Sequence, residues 1–240
     1  MSYQIFFRKM KLKNIFIAFS VLLGAASMNA QEFFSTEDAP KFFTLGARVG
    51  FNTSNTTFNS NIFNKGNKFS WGTGFDIGAV ANLNFKDYLA IQPGIFFQSR
   101  SGDYAYATDY ISILGNKETF FHMGHYRTYN LNIPIMAIIR FNISEHLRWN
   151  MEAGPYFQFK IGDSGLDKIV YLQRPPLSED YEQYRPDYNS FDVGLKLGTA
   201  LNIYENYYVG IHYLAGLRNA WSMPKGGHNK SWTFTIGYDF

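Results

Sequence analysis

The 240-residue chain contains no cysteine. That excludes disulfides, thiolate metal sites, thiol catalysis and a lipid-modified N-terminal cysteine. Long apolar runs are also missing. Hydrophobic residues make up 46% of the chain, yet the mean hydropathy is slightly negative, which argues against spanning helices. Net charge is low as well: 22 basic against 19 acidic residues leave +3, too little to imply a nucleic-acid partner. No GxSxG nucleophile motif, phosphate loop or Rossmann glycine pattern occurs, and the glycines are scattered through apolar-alternating stretches. These absences leave no cofactor implied and no enzyme expected.

What the chain has in quantity is aromatic residues, 19% of the total, and period-two alternation. The last ten residues, SWTFTIGYDF, set Trp232, Phe234, Ile236, Tyr238 and Phe240 on one face. The other face carries Ser231, Thr233, Thr235, Gly237 and Asp239. A soluble sheet buries such an aromatic face under a second layer; an outer-membrane barrel turns it to lipid. A lipocalin-like soluble carrier is the rival, but it needs an apolar interior and a polar exterior. Here the charged face is the one to enclose. The terminal Phe also resembles the signal by which such barrels are handed to their insertion machinery.

Alternation recurs along the chain and predicts about eight strands, near 42–53, 70–85, 88–100, 124–141, 148–161, 190–203, 207–218 and 231–240. The connectors alternate in length. Those at 54–69, 101–123, 162–189 and 219–230 are long; those at 86–87, 142–147 and 204–206 are short. Short periplasmic turns and long outer loops are the habit of outer-membrane barrels, and an even strand count places both termini in the periplasm. Residues 1–30 read as a secretory signal. Arg8, Lys9, Lys11 and Lys13 form a basic head, the apolar core from Ile15 to Ala26 is shorter than a span, and cleavage is expected after Ala30. Met10 makes a more ordinary start than Met1. Residues 31–41 then form a periplasmic lead and 42–240 the barrel domain.

The inner face is predicted to carry Arg48, Asp76, Arg140, Glu152, Lys160, Asp192, Lys196, His212, Arg218 and Asp239. An eight-stranded barrel is only wide enough for its own side chains. Isolated buried ions are costly, so these charges should pair into a packed polar core rather than line an ion path. Pro93, Pro134 and Pro155 remove ladder donors inside predicted strands, which calls for bulges or places where the ladder is already open. His122, His125 and His228, with Asp103, Asp109, Asp163 and Asp167, fall at the outer rim, where a rim enzyme or metal site would sit. Nothing at their spacing supports either. Tyr104, Tyr106, Tyr110, Phe120, Phe121, Tyr171, Tyr181, Tyr184 and Tyr188 crowd the outer loops, as a binding surface would require.

With LGARVGFN, LAIQPGIFFQ, LNIPIMAIIRF, MEAGPYFQF, FDVGLKLGTAL, VGIHYLAGLRN and SWTFTIGYDF, the chain resembles the PorT-like outer-membrane β-barrel family of Bacteroidetes-type bacteria over residues 44 to 240. Gly94 departs from the acidic residue the family often has after that proline. The resemblance implies an eight-stranded antiparallel up-and-down barrel in the bacterial outer membrane. It also implies a role in the envelope or as an accessory of secretion. The expected partners are outer-membrane lipid, the barrel insertion machinery through the C-terminal strand, and an envelope or secretion-system protein. A small porin is the alternative role and a rim enzyme the third.

Overall fold

A computed structural model describes residues 34–57, 68–111, 117–171, 187–223 and 227–240. The signal segment and its cleavage site therefore lie outside the described residues. The strands are β1 (Phe43–Thr57), β2 (Lys68–Lys86), β3 (Leu89–Ile111), β4 (Lys117–Ser144), β5 (Leu147–Tyr171), β6 (Asp187–Tyr188), β7 (Phe191–Ile203), β8 (Tyr207–Gly216), β9 (Trp221–Met223) and β10 (His228–Asp239). Eight of them close an antiparallel barrel in the order β1-β10-β8-β7-β5-β4-β3-β2, and β6 pairs with β9 apart from it. Closure comes from β1 on β10, continuous from Gly46↔Asp239 to Thr57↔His228. No helix occurs among the described residues.

Alternation decides which side chains face lipid. Leu45, Val49, Phe51, Phe75, Ile77, Ile95, Ile135, Leu195, Leu197, Val209, Trp232, Phe234 and Ile236 are all exposed on the outer surface. Their neighbours Arg48, Asn52, Asp76, Gln98, Glu152, Asp192, Lys196, His212 and Thr235 are buried within. Apolar outside and polar inside is the arrangement in which lipid, rather than a second protein layer, covers the apolar face.

The strands run further than the sequence reading has them. The stretches 101–111, 117–123 and 162–171, expected as loop, continue β3, β4 and β5 as strand. At about 3.3 Å per residue, the 28 residues of β4 far exceed the 9–11 that a spanning strand needs. Above the lipid nothing requires one face to be apolar, so the alternation fades while the pairing goes on. The lead is tied down. Glu37 O accepts from Asp87 N at 3.0 Å and Phe42 O from Asn84 N at 2.7 Å. Phe34 packs on Tyr88 at 4.3 Å between ring centroids.

The three prolines lie on three consecutive barrel strands, and each sits at an open stretch of ladder without a register shift. The β2–β3 pairing skips Ala81↔Pro93, β3–β4 skips Gly94↔Pro134, and β4–β5 skips Ile135↔Pro155. The bulges are elsewhere, between Trp71 and Asp76, Asn84 and Lys86, Tyr129 and Asn130, and Asn142 and Ser144. Gly154 keeps the strands close there: a Cβ on it would stand 2.0 Å from the Ile135 carbonyl oxygen.

Candidate functional site in the barrel lumen

The inward side chains form linked clusters along the barrel axis. At the short-turn end, Arg48 Nη2 donates to Asp239 Oδ1 at 2.7 Å. The guanidinium also lies over the Tyr208 ring, 4.1 Å from its centroid. Asn202 donates to the other Asp239 oxygen at 3.2 Å. One level further in, Glu152 accepts from Tyr208 Oη at 3.0 Å and from His212 Nε2 at 2.8 Å. Gly198, the cross-strand partner of His212, makes room for that ring; a Cβ there would lie 2.3 Å from it.

Lys196 occupies the middle, with its ammonium 5.3 Å from the Phe96 ring centroid. Two voids of about 10 Å³ flank it, each room for about one water. Beyond it Asp76 accepts from Asn52 at 2.9 Å and from Gln98. Asp192 accepts from Tyr156 Oη at 3.1 Å and from Asn229 at 2.8 Å. Hydrogen bonds and opposite charges together are what make burial of ions tolerable in a confined, low-dielectric space.

An aromatic cap lies at the far end. Tyr126, Tyr188 and Trp221 are all buried, with centroids 6.1 Å apart for the tyrosine pair and 5.2 Å from each tyrosine to the indole. The β6–β9 pair carries Tyr188 and Trp221 across the mouth. Tyr188 Oη donates to Asn229 Oδ1 at 2.5 Å, and Tyr126 Oη shares a hydrogen bond with Thr56 at 3.2 Å. Gly102 leaves the space that Tyr126 fills.

Of the residues expected on the inner face, Arg48, Asp76, Glu152, Asp192, Lys196, His212 and Asp239 are buried in the lumen. Arg140 is half-buried at the short-turn end, opposite Asn150. Lys160 sits at the capped end, donating to the Tyr188 carbonyl at 2.8 Å and paired with Asp163 at 3.0 Å. Arg218 is a correction: it is exposed and lies 5.3 Å from the centre of Phe191, a ring of the outer row. The strand ends at Gly216, so strict alternation no longer governs it.

Arg100, 2% exposed, is a further buried charge. Its parity with Gln98 puts it on the polar face of the third strand, although it is not among the inner charges expected above. The cap was missed because Tyr188 and Trp221 lie in what read as loops. Trp232, Phe234, Ile236, Tyr238 and Phe240 are all exposed on the outer face.

At the rim, Asp103 accepts from His125 Nδ1 at 2.6 Å and from Ser70 Oγ at 2.9 Å. These hydrogen bonds hold its carboxyl below the ordinary carboxylate range, that from His125 foremost. The carboxylate stands between serine and imidazole, so the serine is not paired to a base. The side chains of His122, Asp109, Asp167 and the loop aromatics other than Tyr188 lie outside the described residues.

The family described as outer membrane protein beta-barrel domain matches residues 29–222. No curated protein matches. Among solved structures, the outer membrane protein OprG from Pseudomonas aeruginosa aligns at 9% identity over 86% of this chain and 99% of its own, with TM-score 0.43. Neisserial surface protein A aligns at 9% identity, 82% and 97% coverage and TM-score 0.41. Ail, the attachment invasion locus protein of Yersinia pestis, aligns at 10% identity, 82% and 99% coverage and TM-score 0.38.

Proposed function

Because the chain belongs to the outer membrane protein β-barrel domain family, we propose that it works in the bacterial outer membrane as a non-enzymatic surface or envelope interaction protein with a closed lumen, of the PorT-like type. Short turns and both termini face the periplasm in this reading. The long β3–β4–β5 sheet stands outside, and the first thirty residues direct export. The C-terminal strand is what the insertion machinery handles, and a protein of the envelope or of a secretion system is the partner.

The observation that carries the closed lumen is the run of bonded charges from Arg48–Asp239 to Asp192, topped by three packed aromatic rings. Planar-bilayer recording of purified protein should show no steady conductance. Arg140→Ala combined with Glu152→Ala should give at most small flickering currents. Stable, sizeable wild-type channels would replace this reading with the porin. Cross-linking in intact envelopes followed by pull-down tests the secretion role; recovery of insertion machinery alone would remove it.

A further inference from the structure

At the capped end of the seam between β8 and β10, three basic residues share the outer surface. Lys230 faces outward on β10, opposite Ala215 of β8 and Asn55 of β1. His228 follows on the same face and donates from Nδ1 to the Arg218 carbonyl at 3.1 Å. The Arg218 guanidinium is folded against Phe191. Directly below runs the lipid-facing row, with Trp232 and Tyr213 packed at 4.8 Å and Leu217 62% exposed.

Among the described residues no salt bridge reaches Arg218 or Lys230. At the short-turn end, by contrast, Lys86 is tied to Asp38 at 2.5 Å and Arg148 to Asp87 and Glu205 at 3.2 and 3.6 Å. Two cations with no ion pair among the described residues, standing over an aromatic and aliphatic row, match an amphiphile with an anionic head and acyl chains. We infer that the Arg218–Lys230 patch binds the phosphate of an outer-leaflet glycolipid. The phosphate complements the cations, and the chains lie along Trp232 and Leu217. The inference rests on the orientation proposed above, which puts this end of the barrel in the outer leaflet.

The test uses the full-length protein in nanodiscs of phosphatidylcholine, doped with bisphosphorylated lipid A or with phosphatidylglycerol. Mass spectrometry reads the lipid retained after detergent washing. The wild type should retain lipid A roughly tenfold more than Arg218→Gln/Lys230→Gln, since each basic side chain at a charged surface adds to the attraction. Arg218→Lys should keep it, and Lys41→Gln at the other end should change nothing. Heat-dependent gel mobility shows that each variant is folded; Lys230→Gln alone serves if the double variant is not.

Equal lipid A retention by wild type and double variant overturns the site. Retention of phosphatidylglycerol in preference to lipid A overturns the glycolipid assignment. Orientation is read separately. With no native cysteine, Asn219→Cys should react with a membrane-impermeant maleimide on intact cells. Labelling only after permeabilisation would sink the orientation, whereas surface labelling with equal lipid retention would sink the lipid site alone.

Discussion

The barrel wall has two unlike halves. From β7 through β8 and β10 to β1, every ladder is continuous over its paired length. From β2 to β5 the ladder opens at a proline in three neighbouring rows, and it is interrupted again at the bulges. Lipid offers no partner for a freed carbonyl, so the proline half forgoes hydrogen bonds that the other half makes. It recovers close packing instead. Buried Ala90, Met136 and Ile138 cluster behind the openings, an apolar patch of the inner face. The difference teaches that backbone pairing and interior packing are exchanged locally within one wall.

The harshest way to break the comparison is to give the continuous half a proline. Val209→Pro, in a strand paired on both sides to Leu201 and Ile236, should cost about 3 kcal/mol or more and abolish refolding in urea titrations. Close behind is a charge on the lipid face. Leu195→Arg should lose roughly 2–4 kcal/mol, while Lys196→Gln, pointing inward, should fold far better. Equal refolding yields for the two would mean that the inside and outside assignments are wrong.

A gain is expected at the short β7–β8 turn of the continuous half, where Tyr204 and Glu205 hold φ of 50° and 64°. Two side-chain-bearing residues in the left-handed region are strained, so Tyr204→Asn with Glu205→Gly should raise stability by about 1 kcal/mol. Unchanged unfolding midpoints would show that the Tyr204 N–H bond to the His146 carbonyl at 2.8 Å already offsets the strain. In the other half, Pro155→Ala restores a donor facing Ile135. It should add about 1 kcal/mol and slow amide exchange in the flanking residues. Exchange that stays fast would mean the opening is set by packing around Gly154, not by proline.

The smallest effect is pH-dependent. Asp103 sits above the lipid-facing row with its carboxyl pKa depressed by His125 and Ser70. A depressed pKa contributes stability that is present above the ordinary carboxylate range and lost as pH falls through and below it. The pair is exposed, so the contribution is at the weak end for surface pairs. Asp103→Asn should flatten the acid limb of the unfolding curve only slightly. A large acid shift that the substitution removes would assign Asp103 a greater role.

Sequence legibility followed the solvent. Between the two membrane surfaces a side chain meets either hydrocarbon or a packed polar lumen, and period-two alternation records that choice residue by residue. Leu195 beside Lys196 and Ile77 beside Asp76 could therefore be sorted by parity. The prolines could be recognised as places for a bulge or an open ladder, and the structure has the open ladder. Outside the membrane both faces meet water, so the extensions of β3, β4 and β5 and the β6–β9 pair carry no comparable signal. Arg218 fell to the same cause, one step past the end of its strand.

The sequence by itself determined that the chain is a barrel, which residues face lipid and, for Arg48, Asp76, Glu152, Asp192, Lys196, His212 and Asp239, which charges go inside, because those depend on alternation along one strand. Only the tertiary structure decided which charges meet, that the three proline openings line up, and that Tyr126, Tyr188 and Trp221 pack together at one end. Those depend on register between strands and on segments brought together across the barrel. Parity along a single strand carries no information about either.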